Sequence, residues 1–463
     1  MLLYVIFLGL GYLGLFLCDQ HKSFQRIEWQ FLSACSAVGL GLFFIIGLIV
    51  PSLGWSLLIS SIASVSGIIL MYREKLFHNK IRFFSASSLL FLSVVFMFAL
   101  VVLNNVISDW DGLFGYFSHA KIIYSGNGVA DKDAWEMSFL TSYAYAYPKL
   151  APYLGAQVGY MMGVWNYVAP NSSILLLIVI AIHGLFAIGR NIFERAILLS
   201  CTILLCSHYN WNWYMDSHFA VFATIAFGYI LLWNDSRQNS HLFIASAYLG
   251  IALGLKNEAV LWLLSLGAGG LVFYQLDPRS RLNFKLLLKS RSFWGAIFLL
   301  FAATLFWKAR CSLLEFPSYY FARGSDYMQK KFMMNLESRN YQDLFLPALW
   351  NEHSIVSLVR MVPALLLISL ARSRAAIFIG FFVAVFVYIA GISFIYMISP
   401  ERMEVQIKLS LGRVLWVIDT HVGFLIYFVI RDFFDCTSPL FLSTKDKIKS
   451  FLPSKIKNQV SGI

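Results

Sequence analysis

At 463 residues the chain has room for several soluble domains, yet 59% of it is hydrophobic, only 13% is charged, and the mean hydropathy is +0.70. That leaves too little charge to cover a soluble surface, and no stretch has the mixed make-up of a soluble domain. The formal charge of +12 does not mark a nucleic-acid partner, because the basic residues are scattered between apolar runs and collect in alternate loops. Membrane orientation and contact with anionic lipid headgroups produce that pattern.

A helix needs ~20 apolar residues to cross the hydrocarbon core with its backbone polar groups paired internally. Spans are predicted on this measure at 1–18, 31–50, 56–72, 85–106, 172–189, 196–214, 218–233, 241–255, 259–276, 293–309, 354–371, 375–398 and 414–430. The expected architecture is an all-α polytopic membrane bundle of about thirteen helices, with external juxtamembrane amphipathic helices. The first run, Met1 to Cys18, lacks a basic leader and a small-residue cleavage site, so it reads as a retained helix. Segment 148–168 contains Pro148, Pro152, Gln157 and three Gly, which makes it a poor span. It is expected to lie on the outer face as an interfacial segment. The run 241–276 is too long for one span and is interrupted at Lys256-Asn257-Glu258, which predicts two helices meeting at a tight turn.

With the amino terminus outside, seven cytoplasmic segments hold 22 Lys and Arg and four external segments hold 12, although the external ones contain more residues. That bias fits the positive-inside rule, and a cytoplasmic amino terminus would reverse it. The chain divides into an amino-terminal membrane region (1–106), an external loop (107–171), central helices (172–309), an external basic loop (310–353), carboxy-terminal helices (354–430) and a basic tail (431–463). Long external segments in so compact a chain are where function is expected. The six cysteines form no framework: Cys18, Cys35, Cys201 and Cys206 sit in apolar runs, Cys311 is alone in its loop, and Cys436 is near the tail.

The first long loop opens Ser108-Asp109-Trp110-Asp111-Gly112 as the fourth span leaves the membrane. Leu113, Phe117, Ala120 and Tyr124 then recur at helical spacing, with His119 and Lys121 off that stripe. The pattern describes a short amphipathic helix on the membrane with two carboxylates at its start. A carboxylate there can act as a general base or ligate a hard metal; equally, Asp111 can cap the helix and Asp109 be solvated. Asp216 follows the aromatic stretch Asn210 to Met215 on the external side, where an ordinary interfacial turn is the plainer reading. Lys256 and Glu258 interrupt an apolar stretch with almost no loop around them, and charges at membrane depth line a cavity or pair. A snorkelling turn is the alternative.

Arg310, Arg323, Lys330, Lys331 and Arg339 mix with Tyr319, Tyr320, Tyr327 and Tyr341 in the second long loop. Such a surface suits a phosphate or a sugar, or is simply solvated. Arg413 stands where the last span begins, as a ligand group or a headgroup anchor. Lys308 and Arg360 lie close to span ends, and Asp419 and His421 lie inside the last span but match no metal spacing. No Walker A loop, dinucleotide glycine fingerprint, HExxH or Gly-x-Ser-x-Gly is present.

Together these pieces resemble the C-type (GT-C) integral membrane glycosyltransferases, in their bacterial, dolichyl-phosphate-mannose-protein-mannosyltransferase-like form. The likeness rests on Asp109-Trp110-Asp111 with His119-Ala120-Lys121, Tyr147-Pro148-Lys149-Leu150-Ala151-Pro152, Asp216, Lys256-Asn257-Glu258-Ala259 and Ser410-Leu411-Gly412-Arg413-Val414-Leu415. It covers most of residues 105–430. The acidic loop follows the fourth span here, where such enzymes usually place it after the first. Asp216 is followed by Ser-His, where a small residue and Pro-Leu are common, and there is no large soluble carboxy-terminal domain.

The resemblance implies a polyprenyl-phosphate-linked sugar as donor, a glycan or lipid-linked acceptor, no nucleic acid, and a home in the bacterial inner membrane among its lipids. It implies Asp111, or Asp109, as general base, and Lys256, Arg323, Arg413 and Lys121 on the donor phosphate. Asp216 and Glu258 would orient the acceptor or hold a divalent metal, if one is used. A transporter or flippase predicts inverted repeats and polar residues at the midplane, neither of which is apparent. An O-antigen polymerase or ligase differs in its lipid-pyrophosphate donor.

Overall fold

The structure is a computed structural model. It describes residues 1–24, 27–76, 85–104, 111–136, 147–206, 215–277, 288–316, 324–352, 355, 358–359, 375–399, 402–428 and 431, except the side chains at 111, 112, 114, 201, 203–206 and 375. Every regular element among them is helical. In chain order these are α1 (Leu2–Leu17), α2 (Trp29–Ile49), α3 (Leu53–Arg73), α4 (Ala86–Leu103), α5 (Ser118–Ser125), α6 (Lys132–Glu136), α7 (Leu150–Met162), α8 (Val168–Ile188), α9 (Ile192–Cys206) and α10 (Met215–Ser236). There follow α11 (Asn239–Leu255), α12 (Glu258–Leu276), α13 (Arg291–Leu313), α14 (Gly324–Glu337), α15 (Ala375–Ile398) and α16 (Met403–Phe428).

Nine of the described helices are long and apolar enough to cross a membrane: α2, α3, α4, α8, α10, α12, α13, α15 and α16. The predicted spans 1–18 and 241–255 fall on the shorter α1 and α11, 196–206 falls on α9, and residues 207–214 and most of 354–371 lie outside the described residues. Sequence sets the ends locally. The Ser52 Oγ accepts the Trp55 N–H at 3.2 Å to start α3, and the Ser85 Oγ accepts the Ser88 N–H at 3.1 Å to start α4.

The centre of the bundle is α2, α8, α10 and α16, and α10 is the most buried. At the rim, α3, α4, α12 and α13 expose Leu58, Leu92, Phe96, Leu264, Leu271 and Leu305. So much exposed aliphatic surface aggregates in water and is what hydrocarbon requires, so the chain is a multi-pass membrane protein. Lipid gives no hydrophobic drive between helices, and close backbone approach takes its place. A Cβ on Gly39 would lie 1.9 Å from the Phe7 carbonyl oxygen, and one on Gly250 would lie 2.2 Å from that of Leu299, so α1–α2 and α11–α13 pack on glycine.

Only the first half of segment 148–168 departs from the surface position its composition predicts; Tyr160, Met162, Val164 and Tyr167 are exposed. Leu150 to Gln157 are all buried, wedged among α2, α3, α5, α8 and α11. Pro152 falls in the first helical turn, where a missing N–H leaves no bond unmade. Gly155 meets Ala120 of α5 and Pro170 of α8. The Gln157 Nε2 donates to the Leu53 carbonyl at 3.1 Å and to the Ser56 and Tyr153 hydroxyls at 2.8 Å each. Protein thus accommodates the proline, the glycine and the amide N–H groups, while the buried Gln157 Oε1 has no partner among the described residues.

Candidate functional site

Asp216 is the second residue of α10 and only 3% exposed. Its Oδ1 accepts a hydrogen bond from the Lys256 Nζ, and its Oδ2 lies 3.7 Å from the Arg413 Nη1. Lys256 reaches it because the chain is extended there, with φ −149 and ψ 146, ending α11 at Leu255. Two residues later α12 restarts at Glu258, so the broken run is the tight turn expected from sequence. Arg413 comes from α16, just after the π-helical segment Ile407–Leu411. One carboxylate therefore joins α10, the α11–α12 break and α16.

Glu258 lies in the field of Lys256, Asp216 and Arg413, and its buried Oε2 has no hydrogen-bond partner among the described residues. Two tyrosines of α15 stand beside the cluster, in the field of both Glu258 and Asp216. The Tyr388 hydroxyl donates to the Val414 carbonyl at 2.8 Å, and the Tyr396 hydroxyl pairs with the Ser410 Oγ at 2.7 Å. Buried ion clusters stabilise weakly, because desolvating each ion costs several kcal/mol that pairing only offsets. Stability alone is therefore a poor reason for this cluster, and ionisable groups at membrane depth are functional candidates.

A second polar group lies close by. Lys149 is fully buried, its Nζ 3.1 Å from the His119 Nδ1 and over the rings of Trp135 at 5.6 Å and Trp307 at 5.2 Å. Burial lowers its ammonium to about 7; Cys311 nearby raises it and Lys308 lowers it further. His119 is therefore not on the outer side of its helix as the stripe predicts, and Cys311 is not in a loop but in the last turn of α13. The two groups are neighbours through the chain segments that carry them. A Cβ on Gly254, two residues before Lys256, would lie 3.3 Å from the Cβ of Leu150, which follows Lys149.

The acidic segment leads into this second group. Asp111–Phe117 winds as a π-helix that continues into α5, and π-helical turns recur at functional sites. The Asp111 side chain lies outside what the structure describes, as do Asp109 and Arg323 altogether. Lys121 is exposed on α5, as are Lys330 and Arg339 on and after α14. Arg310 donates to the Leu48 carbonyl at 2.8 Å and ties α13 to α2. His421 is a core residue, its Nδ1 2.6 Å from the Val417 carbonyl and 2.9 Å from the Thr224 Oγ1.

The structure thus brings four sequence candidates together, Asp216, Lys256, Glu258 and Arg413. Lys149 entered the sequence reading through the family resemblance, His119 through that and its place off the apolar stripe, and Tyr396 and Ser410 were not singled out for a site. The one signal for Lys149 was a cation held between two prolines in an apolar run. The carboxylates fit a metal poorly: both Asp216 oxygens face cations, and no group of three or more His, Cys, Asp or Glu gathers among the described residues.

An apolar cavity of about 280 Å³ lies elsewhere, lined by Phe227, Trp233, Gly270, Phe273 and Phe381 among others. Trp233 is about 25 Å along α10 from Asp216 at 1.5 Å per residue, so this space belongs to the other end of the bundle. No family model, curated protein or solved structure matches this chain.

Proposed function

We propose that the protein is a membrane glycosyltransferase of the GT-C kind, moving a sugar from a polyprenyl-phosphate donor to a glycan or lipid-linked acceptor. The observation that carries this reading is the buried Asp216–Lys256–Arg413 cluster with Glu258, set at one end of a membrane bundle beside the Lys149–His119 pair. Chemistry at one membrane face suits a lipid carrier whose phosphate sits at the headgroup level and whose tail stays in hydrocarbon. A pathway across the membrane would instead place its charges at the midplane.

Asp111, with Asp109 as the other choice, takes the proton from an acceptor hydroxyl. The freed oxygen attacks the anomeric carbon, the bond from that carbon to the phosphate oxygen breaks, and the phosphate leaves with the electron pair. Attack opposite the leaving group inverts the anomeric centre. Lys256 and Arg413, with Arg323 and Lys121, offset the charge that grows on the phosphate. Because Lys256 and Arg413 both rest on Asp216, an incoming phosphate competes with that carboxylate for them. Glu258 and Asp216 set the orientation of the bound groups.

The full reading has thirteen spans, an external amino terminus, a cytoplasmic tail and an active site on the external face of a bacterial inner membrane. Asp111→Asn is expected to abolish transfer in an in vitro assay with a panel of polyprenyl-phosphate sugars, while the variant still purifies as a folded membrane protein. Wild-type turnover in that variant would overturn Asp111 as the base. Transfer by neither the wild type nor any variant across the panel would overturn the reaction.

A further inference from the structure

The buried side-chain acceptors with no hydrogen-bond partner among the described residues include the Glu258 Oε2 and the Gln406 Oε1. Native proteins leave few such atoms, because an unmet buried acceptor costs about 1–3 kcal/mol. These two belong to one neighbourhood. The Ser410 Oγ donates to the Gln406 carbonyl at 3.0 Å and pairs with the Tyr396 hydroxyl at 2.7 Å, and Tyr396 lies in the field of Glu258 and Arg413. Gln406, Ser410 and Arg413 lie close together on α16, around its π-helical turn Ile407–Leu411, and Arg413 faces Asp216.

Asp216 is the less open of the two carboxylates to a ligand, since its two oxygens face Lys256 and Arg413. We propose that Glu258 and Gln406 form a hydroxyl-recognition subsite that accepts hydrogen bonds from a polyhydroxylated ligand, and that Asp216 serves as the fixed counter-ion behind it. A ligand that supplied only phosphate oxygens would leave both acceptors unmet. One that supplies several O–H groups, as a sugar does, offers donors to both. Identifying that ligand as the transferred sugar rests on the glycosyltransferase reading; the demand for a donor-rich ligand does not.

The test uses the full-length protein in detergent, with methyl glycosides of several hexoses and pentoses and their singly deoxygenated analogues as probes in thermal-shift titrations. At least one glycoside is expected to stabilise the wild type. Glu258→Met and Gln406→Met are each expected to weaken its binding about tenfold or more, the loss of a hydrogen bond to a charged or buried group. The glycoside lacking the matching hydroxyl should bind wild type and Glu258→Met equally. The proposal is overturned if no glycoside shifts the wild type, or if both variants bind as tightly as it does. Where Glu258→Met does not purify as a single species, Glu258→Gln and Gln406→Met carry the comparison. Glycoside binding that depends on Glu258, with no transfer from any polyprenyl-phosphate sugar, would keep the subsite and overturn the reaction. Full transfer by both Met variants would do the reverse.

Discussion

Asp216→Asn removes the shared counter-ion from two cations, and the loss of stability should exceed that of either cation's removal. Taking away one partner of a buried ion pair costs about 3–5 kcal/mol, because the other charge stays desolvated. Little solvent screening discounts that figure, since the Lys256 and Arg413 side chains are 8% and 17% exposed. Lys256→Met should cost less, because Asp216 keeps Arg413, although at 3.7 Å this is beyond hydrogen-bond reach. The double variant is the decisive one. It removes a positive and a negative charge together, so its loss should fall short of the sum of the singles by more than about 1 kcal/mol. Unfolding can be followed in detergent with a thiol-reactive dye, because Cys35 is a buried free thiol that becomes reactive only on unfolding. Losses that add to within about 0.5 kcal/mol would show that the two side chains do not share their energy, and would refute the reasoning.

Burial holds Lys149 at about 7, below the ~10.4 of a lysine in the unfolded chain. Between those values the unfolded state binds the extra proton, so stability should rise with pH from about 7 toward ~10.4 and level off below about 7, where both states are protonated. The melting temperature of Lys149→Met, measured across pH 6 to 9, should lose that slope; an unchanged slope would refute the assignment. Glycine substitutions should separate by contact. Gly39→Ala drives a methyl group against the Phe7 carbonyl and should cost about 1–3 kcal/mol, read as lost monodispersity on size exclusion. Gly270→Ala meets nothing within 4 Å and should be neutral or gain up to about 1 kcal/mol in melting experiments, from helix propensity.

The spans were legible because hydrocarbon imposes one simple demand, a long apolar run, and nearly every predicted run lies on a helix. The break at Lys256 was legible for the same reason, as charge where none is tolerated. The burial of α7 was not. Its prolines, glycines and Gln157 look like a poor span until the partners Leu53 and Ser56 are in place, and those lie 104 and 101 positions away. The convergence of Asp216, Lys256 and Arg413 was equally hidden, since only packing brings positions 216, 256 and 413 to one point. Asp216 and Arg413 were weak candidates alone, with an interfacial turn and a headgroup anchor as their plainer accounts. Glu258 and Gln406 could not have been paired from sequence at all, because what marks them is a missing bond.

The pairing across the α10–α11 hairpin also bears on how the chain enters the membrane. A lone Asp or Lys at the centre of a nascent helix raises the cost of insertion by about 2.5–3.5 kcal/mol; Asp216 stands in the first turn of α10 and Lys256 just past the end of α11. Asp216 and Lys256 are 40 residues apart and face each other as soon as the hairpin closes. The two helices can therefore leave the translocation machinery as a unit whose opposite charges cancel, long before Arg413 is synthesised. Arg413 then arrives at a carboxylate already in place, so α16 is the helix whose seating completes the cluster.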